Sequence, residues 1–207
     1  VVDDPSFLTP HVVEQENFIA HVYKMAVMPY EGLYVGLPVL FNPSGRWLGR
    51  NHTGLNQIEL SVSRDLHHWE RVANRDVFIG VLPWDGEVYD NSQLLPCGTP
   101  VVREDLDEIW VYYNACRFRC HRKDMEELDE KYFDDNSALS LARIRRDGFV
   151  SLDADSKGTV TTAPFALKGD NIYVNVNAKS GELRTSVLDA ETGETHPDAS
   201  LEDCNPI

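Results

Sequence analysis

Ser63-Arg64-Asp65-Leu66-His67-His68-Trp69-Glu70 follows the strand-like run Ile58-Glu59-Leu60-Ser61-Val62, and the two together read as a strand, a polar turn and a second strand. In such a turn a short Asp carboxylate accepts backbone N–H groups, while the Trp after it anchors the next strand in a core. His67 and His68 are adjacent, so on a strand they point to opposite faces and make a poor metal pair.

The same grammar extends in both directions. Runs rich in Val, Ile, Tyr, Trp and Leu, each bounded by Gly, Pro, Asn or Asp, predict short antiparallel strands. They fall near Ala20 to Val27, Leu33 to Phe41, Gln57 to Ser63, Trp69 to Val72, Ser92 to Leu95, Thr99 to Arg103, Ile109 to Ala115 and Leu139 to Arg145. A second set is expected near Gly158 to Thr162, Asn171 to Asn177 and Glu182 to Asp189. Alternation is clearest in Glu108-Ile109-Trp110-Val111-Tyr112-Tyr113 and in Asn171-Ile172-Tyr173-Val174-Asn175-Val176-Asn177. One stretch, His121 to Phe133, has helical composition, with Met125, Leu128 and Tyr132 forming a narrow apolar stripe among acidic residues. The fold class is therefore all-β.

Composition narrows the function classes. The 207 residues are 42% hydrophobic, enough to bury a core, and 34 acidic against 19 basic residues give a formal net charge of -15. Such a field repels phosphate backbones, so nucleic acid is not an expected partner. No apolar run approaches the ~20 residues of a membrane-spanning helix, so no membrane partner is expected either. Four cysteines at positions 97, 116, 120 and 204 lack zinc-finger spacing; Cys116 and Cys120 suit a small-loop disulfide in an oxidising compartment. Asn51-His52-Thr53 is an N-glycosylation sequon. The opening Val1-Val2-Asp3-Asp4-Pro5 has neither the basic start nor the apolar stretch of a signal peptide, and reads as a mature or truncated end. Extracellular or periplasmic localisation is the expectation.

A composition shift near Gly148 divides the chain into 1–148 and 149–207. Beyond it come the turn signals Lys168-Gly169-Asp170, Lys179-Ser180-Gly181 and Glu191-Thr192-Gly193, which predict a small antiparallel β-sandwich.

The Ser63 to Trp69 string resembles the Ser-x-Asp-x-x-x-Trp hairpin in blades of the five-bladed β-propeller glycoside hydrolases, such as families 32 and 43. Pro29-Tyr30-Glu31-Gly32-Leu33-Tyr34, Trp84-Asp85-Gly86-Glu87-Val88-Tyr89 and Asp107 to Tyr113 look like successive blade strands. Asp147 to Leu152, Glu182-Leu183-Arg184 and Leu201 to Cys204 resemble the sandwich that follows such a propeller. The resemblance implies a partial five-bladed β-propeller, 1–148, followed by an antiparallel β-sandwich, 149–207. A whole propeller of four-stranded blades needs about twenty strands, and the family's Asn-Asp-Pro, Arg-Asp-Pro and Glu-Cys catalytic strings do not occur here. The expectation is a C-terminal portion of a longer protein, with open blade edges covered by further chain or by self-association.

Glycoside hydrolysis needs two carboxylates about 5 to 9.5 Å apart. Glu31 is the first candidate, because a Glu embedded in an apolar strand is costly unless it has a task. Asp85 and Glu87 are the others. Tyr30, Trp84, Tyr89, Asp90 and Asn91 supply the rings and polar groups that suit sugar faces and hydroxyls. No cofactor is expected beyond calcium, for which Asp134 and Asp135 offer oxygens without an EF-hand's alternating ligands. Two functions follow: a glycosidase-like carbohydrate-active enzyme, or a non-catalytic carbohydrate-binding or extracellular structural protein.

Overall fold

The computed structural model describes residues 21–47, 51–118, 134–166, 169 and 172–207, with backbone alone for 43–47 and 51–53. The chain is all-β, and its strands form one open mixed sheet. The chain separates into two units, Val1–Phe149 and Val150–Ile207.

The first unit holds ten strands among its described residues. β1 (His21–Tyr30) and β2 (Leu33–Trp47) form a long hairpin; β2 then pairs with β3 (Asn51–Glu59) and β4 (Ser61–Ser63), and β4 with β5 (Glu70–Arg71). The stretch expected as a single strand, Gln57 to Ser63, is thus broken at Leu60. β6 (Val77–Ile79), which sequence reasoning missed, returns along β3 after the turn Ala73–Arg75, whose three residues all have positive φ. β7 (Gln93–Pro96) and β8 (Val101–Arg103) line successive parts of β9 (Glu108–Cys116), and β10 (Ser137–Arg145) pairs along the whole of β9. Two antiparallel meanders result. A parallel contact, Asn56 of β3 beside Gln93 of β7, joins them.

Period-2 patterning explains the core. In β9, Ile109, Val111, Tyr113 and Ala115 are buried while the residues between them are not, as alternation requires. They pack with Ala26 and Met28 of β1, Val35, Leu37 and Val39 of β2, Ile58, Leu60 and Leu94. Where β2 passes the Trp69 side chain, only glycine fits at position 36: a Cβ there would lie 2.6 Å from Trp69 Cζ3 and 2.6 Å from Ser61 Oγ.

The turn at Ser63 to Trp69 is built as its residues dictate. Asp65 Oδ1 accepts the N–H groups of His67 and His68, both at 2.8 Å, and Ser63 Oγ accepts those of Asp65 and Leu66. Leu66 has φ +66°, and its carbonyl accepts Trp69 Nε1–H at 3.0 Å. His68 Nδ1 lies 2.6 Å from Asp65 Oδ2. That contact, then the backbone N–H groups, holds the Asp65 carboxyl far below its usual range, and Asp65 raises the His68 imidazole. A raised His contributes stability below its unfolded value, about 6.5, which is lost as pH rises through the folded value. A lowered Asp contributes above about 3.9, and that is lost as pH falls through its folded value. The turn is therefore most stable from about pH 4 to 6.5. By NMR titration His68 is expected to have a midpoint above 6.5 that falls in Asp65→Asn; an unmoved midpoint would refute the pairing.

The second unit departs from the expected sandwich. Its described residues carry no strand, only an isolated bridge, Leu188 to Thr195, and none of them is buried. Tyr173, placed in an alternating strand by sequence, is 90% exposed. Leu183 and Ile207 exchange both backbone hydrogen bonds at 3.1 Å, an antiparallel pair without a ladder. Apolar side chains are present, among them Val160, Phe165, Ile172, Val174 and Leu188, but they stay exposed instead of meeting across a second sheet. The helical stretch expected at His121 to Phe133 and Cys120 lie outside the described residues; Cys116 is a free thiol.

Candidate functional site

Residues 80–92 link β6 to β7, and both ends of this connection are fixed on β3. Ile79 pairs with Ile58 before it, and Gln93 pairs with Asn56 after it. The loop closes on itself at its base: Leu82 N–H donates to the Asp90 carbonyl at 2.5 Å, and Asn91 Nδ2 donates to the Leu82 carbonyl at 3.1 Å. A loop whose ends meet in this way is packed by its own side chains and carries its tip as a unit.

The tip is a second Asp-centred turn. Asp85 Oδ1 accepts the N–H groups of Glu87 and Val88 at 2.8 and 2.9 Å, and Gly86 has φ +96°. These two donors, with Arg117 beyond them, hold the Asp85 carboxyl below its usual range. Trp84, 46% exposed, tilts against Phe118 with ring centroids 5.5 Å apart.

Arg117 ties the loop to the sheet. It follows β9, and its backbone N–H donates to the Asn136 carbonyl. Asn136 then extends the β9–β10 ladder with its side chain, accepting from Phe118 N–H at 2.8 Å and donating to the Phe118 carbonyl at 3.0 Å. The Arg117 guanidinium donates from Nη2 to the Glu87 carbonyl at 2.7 Å and from Nη1 to Asp135 Oδ2 at 2.6 Å, and it lies 4.0 Å from the Tyr89 ring centroid. Tyr89 O–H donates to Asp135 Oδ1 at 2.5 Å, which raises the phenol and, with Arg117, lowers the Asp135 carboxyl. Below the loop, burial and a 2.7 Å hydrogen bond to Asp90 push the Tyr113 phenol up to about 12.

This end therefore gathers Trp84, Asp85, Glu87, Tyr89, Asp90 and Asn91, as the sequence suggested, and adds Arg117, Phe118, Asp135 and Asn136, which it did not. Both Asp135 oxygens are committed to Tyr89 and Arg117, which leaves them poorly placed as the calcium ligands considered from sequence. Among the described residues no group of three or more His, Cys, Asp or Glu side chains is arranged to hold a metal. Nor, among them, is any helix long and apolar enough to cross a membrane.

Glu31 lies elsewhere. Tyr30 and Leu33 pair directly, leaving Glu31 and Gly32 as a two-residue turn with φ +44° and +77°, the geometry of a type I′ hairpin. Its side chain is 68% exposed and pairs with Arg146 at 3.5 Å, so the burial argument that singled it out does not hold. Tyr30 O–H donates to Asp147 at 2.5 Å, and its ring packs edge-on against Phe149. Arg146 and the Asp107 carbonyl it binds through its N–H sit where β9 begins and β10 ends, whereas Arg117 and Asp135 sit where β9 ends and β10 begins. Strand β9 has nine residues, and at about 3.3 Å per residue its two ends are roughly 25 Å apart. That is far outside the separation of about 5 to 9.5 Å that a carboxylate pair needs, so Glu31 is no partner for Asp85 or Glu87.

Comparison with protein-family models, with curated proteins and with solved structures finds no match to this chain.

Proposed function

We propose that this chain is a carbohydrate-binding protein of the five-bladed propeller glycoside hydrolase lineage, acting at the Trp84 to Asn91 loop without hydrolysing its ligand. One observation carries the reading: the exposed Trp84 ring stands beside Phe118 next to a fixed polar wall of Asp85, the Glu87 backbone, Arg117 and Asp135. An apolar ring face suits the C–H face of a sugar, and anchored carboxylates suit its hydroxyls. Binding is favoured over hydrolysis because the catalytic strings of that lineage, Asn-Asp-Pro, Arg-Asp-Pro and Glu-Cys, do not occur in the chain. A glycosidase needs one carboxyl that holds its proton near neutrality, and Asp85 and Asp135 are both held on the anionic side.

The lineage rests on the Ser63 to Trp69 turn, whose Asp-centred geometry is the one its resemblance to the blade hairpin calls for. In this reading the protein is secreted, and open strand edges are covered by further chain or by self-association.

A glycan array with the whole chain tests the proposal. Trp84→Ala is expected to weaken retention of the best ligand about tenfold, near 1.4 kcal/mol, with no reducing ends released in either protein. Unchanged retention in Trp84→Ala would remove the site; release of reducing sugar by the native chain would restore the hydrolase reading.

A further inference from the structure

We infer that the Trp84–Arg117 surface selects uncharged glycans and turns away uronic acids, an inference that rests on the carbohydrate-binding reading above. A sugar carboxylate is held best by the two-pronged fork of a guanidinium. Arg117 has no fork to offer. Its Nη1 donates to Asp135 Oδ2 at 2.6 Å and to the Asp135 carbonyl at 3.0 Å, and Nη2 donates to the Glu87 carbonyl at 2.7 Å. Nε is buried with no hydrogen-bond partner among the described residues, so an incoming ligand does not reach it. The Tyr89 ring lies 4.0 Å from the guanidinium carbon and covers a face of the group.

The rest of the wall is anionic. The Asp135 carboxylate holds Arg117 at 2.6 Å, and the Asp85 carboxylate caps its own turn in the same loop, on a chain of net charge -15. A uronate would bring a further negative charge against these carboxylates, whereas a neutral sugar donates hydroxyl protons to Asp85 and lays its apolar face on Trp84.

Isothermal titration calorimetry of the whole chain at low salt, with cellohexaose, xylohexaose and mannohexaose against hexagalacturonate, tests this. The best neutral oligosaccharide is expected to bind at least about tenfold tighter than the uronate. Asp135→Asn removes a negative charge beside Arg117 while leaving Nη1 its backbone and amide acceptors, and is expected to narrow that gap about tenfold, with thermal unfolding checked in parallel to show that the variant is folded. Equal or tighter uronate binding by the native chain overturns the inference, as does a folded Asp135→Asn protein with an unchanged gap. If none of the oligosaccharides binds, the carbohydrate reading fails as well. That result differs from the case in which neutral and acidic sugars bind alike.

Discussion

Arg71→Met is expected to lower the unfolding free energy by about 3 kcal/mol, measured by urea denaturation monitored through tryptophan fluorescence. Glu59, at the end of β3, is 3% exposed, and Arg71 in β5 grips it with Nε to Oε2 and Nη2 to Oε1, both at 2.7 Å. The grip spans the break at Leu60, where β3 gives way to β4 and β4 in turn pairs with β5. Methionine matches the stem of arginine in bulk but takes the bidentate guanidinium away from a carboxylate that is out of reach of water. The cost of leaving such a charge exceeds the modest net worth of the pair itself. A second variant separates the two quantities: Glu59→Leu combined with Arg71→Met removes both charges and is expected to recover most of the loss. If Arg71→Met costs less than about 1 kcal/mol, the range of a surface pair, then the ion pair does not hold β5 to β3.

How much of this was legible in the sequence depended on whether a segment's local chemistry and its tertiary surroundings agreed. Strand β9 announced itself because the alternation from Glu108 to Ala115 coincides with a strand buried on one face. The Ser63 to Trp69 turn was equally readable, since an Asp two and three residues before backbone N–H groups makes the same turn wherever it occurs. Glu31 shows the opposite case. Its flanks look like continuous strand, yet Glu-Gly is a two-residue loop in which Gly32 takes φ +77° at no steric cost, and the glutamate is carried to the exposed tip. The stretch from Val150 had turn signals in plenty and an alternating run at 171–177, yet Ile172, Tyr173 and Val174 stay exposed, because among the described residues no strand stands beside them to cover a face. Strand β6, three residues long, exists because β3 offers it an edge. Arg117 was invisible for a related reason. Its partners Glu87 and Asp135 lie 30 and 18 residues away, and nothing local in Cys116-Arg117-Phe118 indicates either.

Ile58→Ala is expected to cost about 2 to 5 kcal/mol and to weaken the Trp84 site beyond what that loss alone explains. Ile58 is fully buried, faces Val39 across the β2–β3 ladder and Ile79 across the β3–β6 contact, and belongs to the cluster that includes Leu94 and Val111. Truncation to alanine removes three carbons from a close-packed interior that relaxes only in part, so a cavity penalty adds to the lost transfer energy. Ile58→Val, which removes one carbon, is expected to cost about 0.5 to 1.5 kcal/mol, and the contrast between the two calibrates the packing. The consequence for the site follows from where β3 stands. Residues 80–92 are fixed at one end by Ile79 on Ile58 and at the other by Gln93 on Asn56, two residues apart on the same strand. Loosening the first anchor lets Val81, whose N–H is held by Gln57 Oε1 at 3.3 Å, drift with the base of the loop. Trp84 then loses its fixed tilt against Phe118. Hydrogen exchange reads this directly: in Ile58→Ala the amides of Glu87 and Val88, donors to Asp85, are expected to exchange faster relative to those of β9. If all amides accelerate by one common factor, β3 stabilises the fold without positioning the loop.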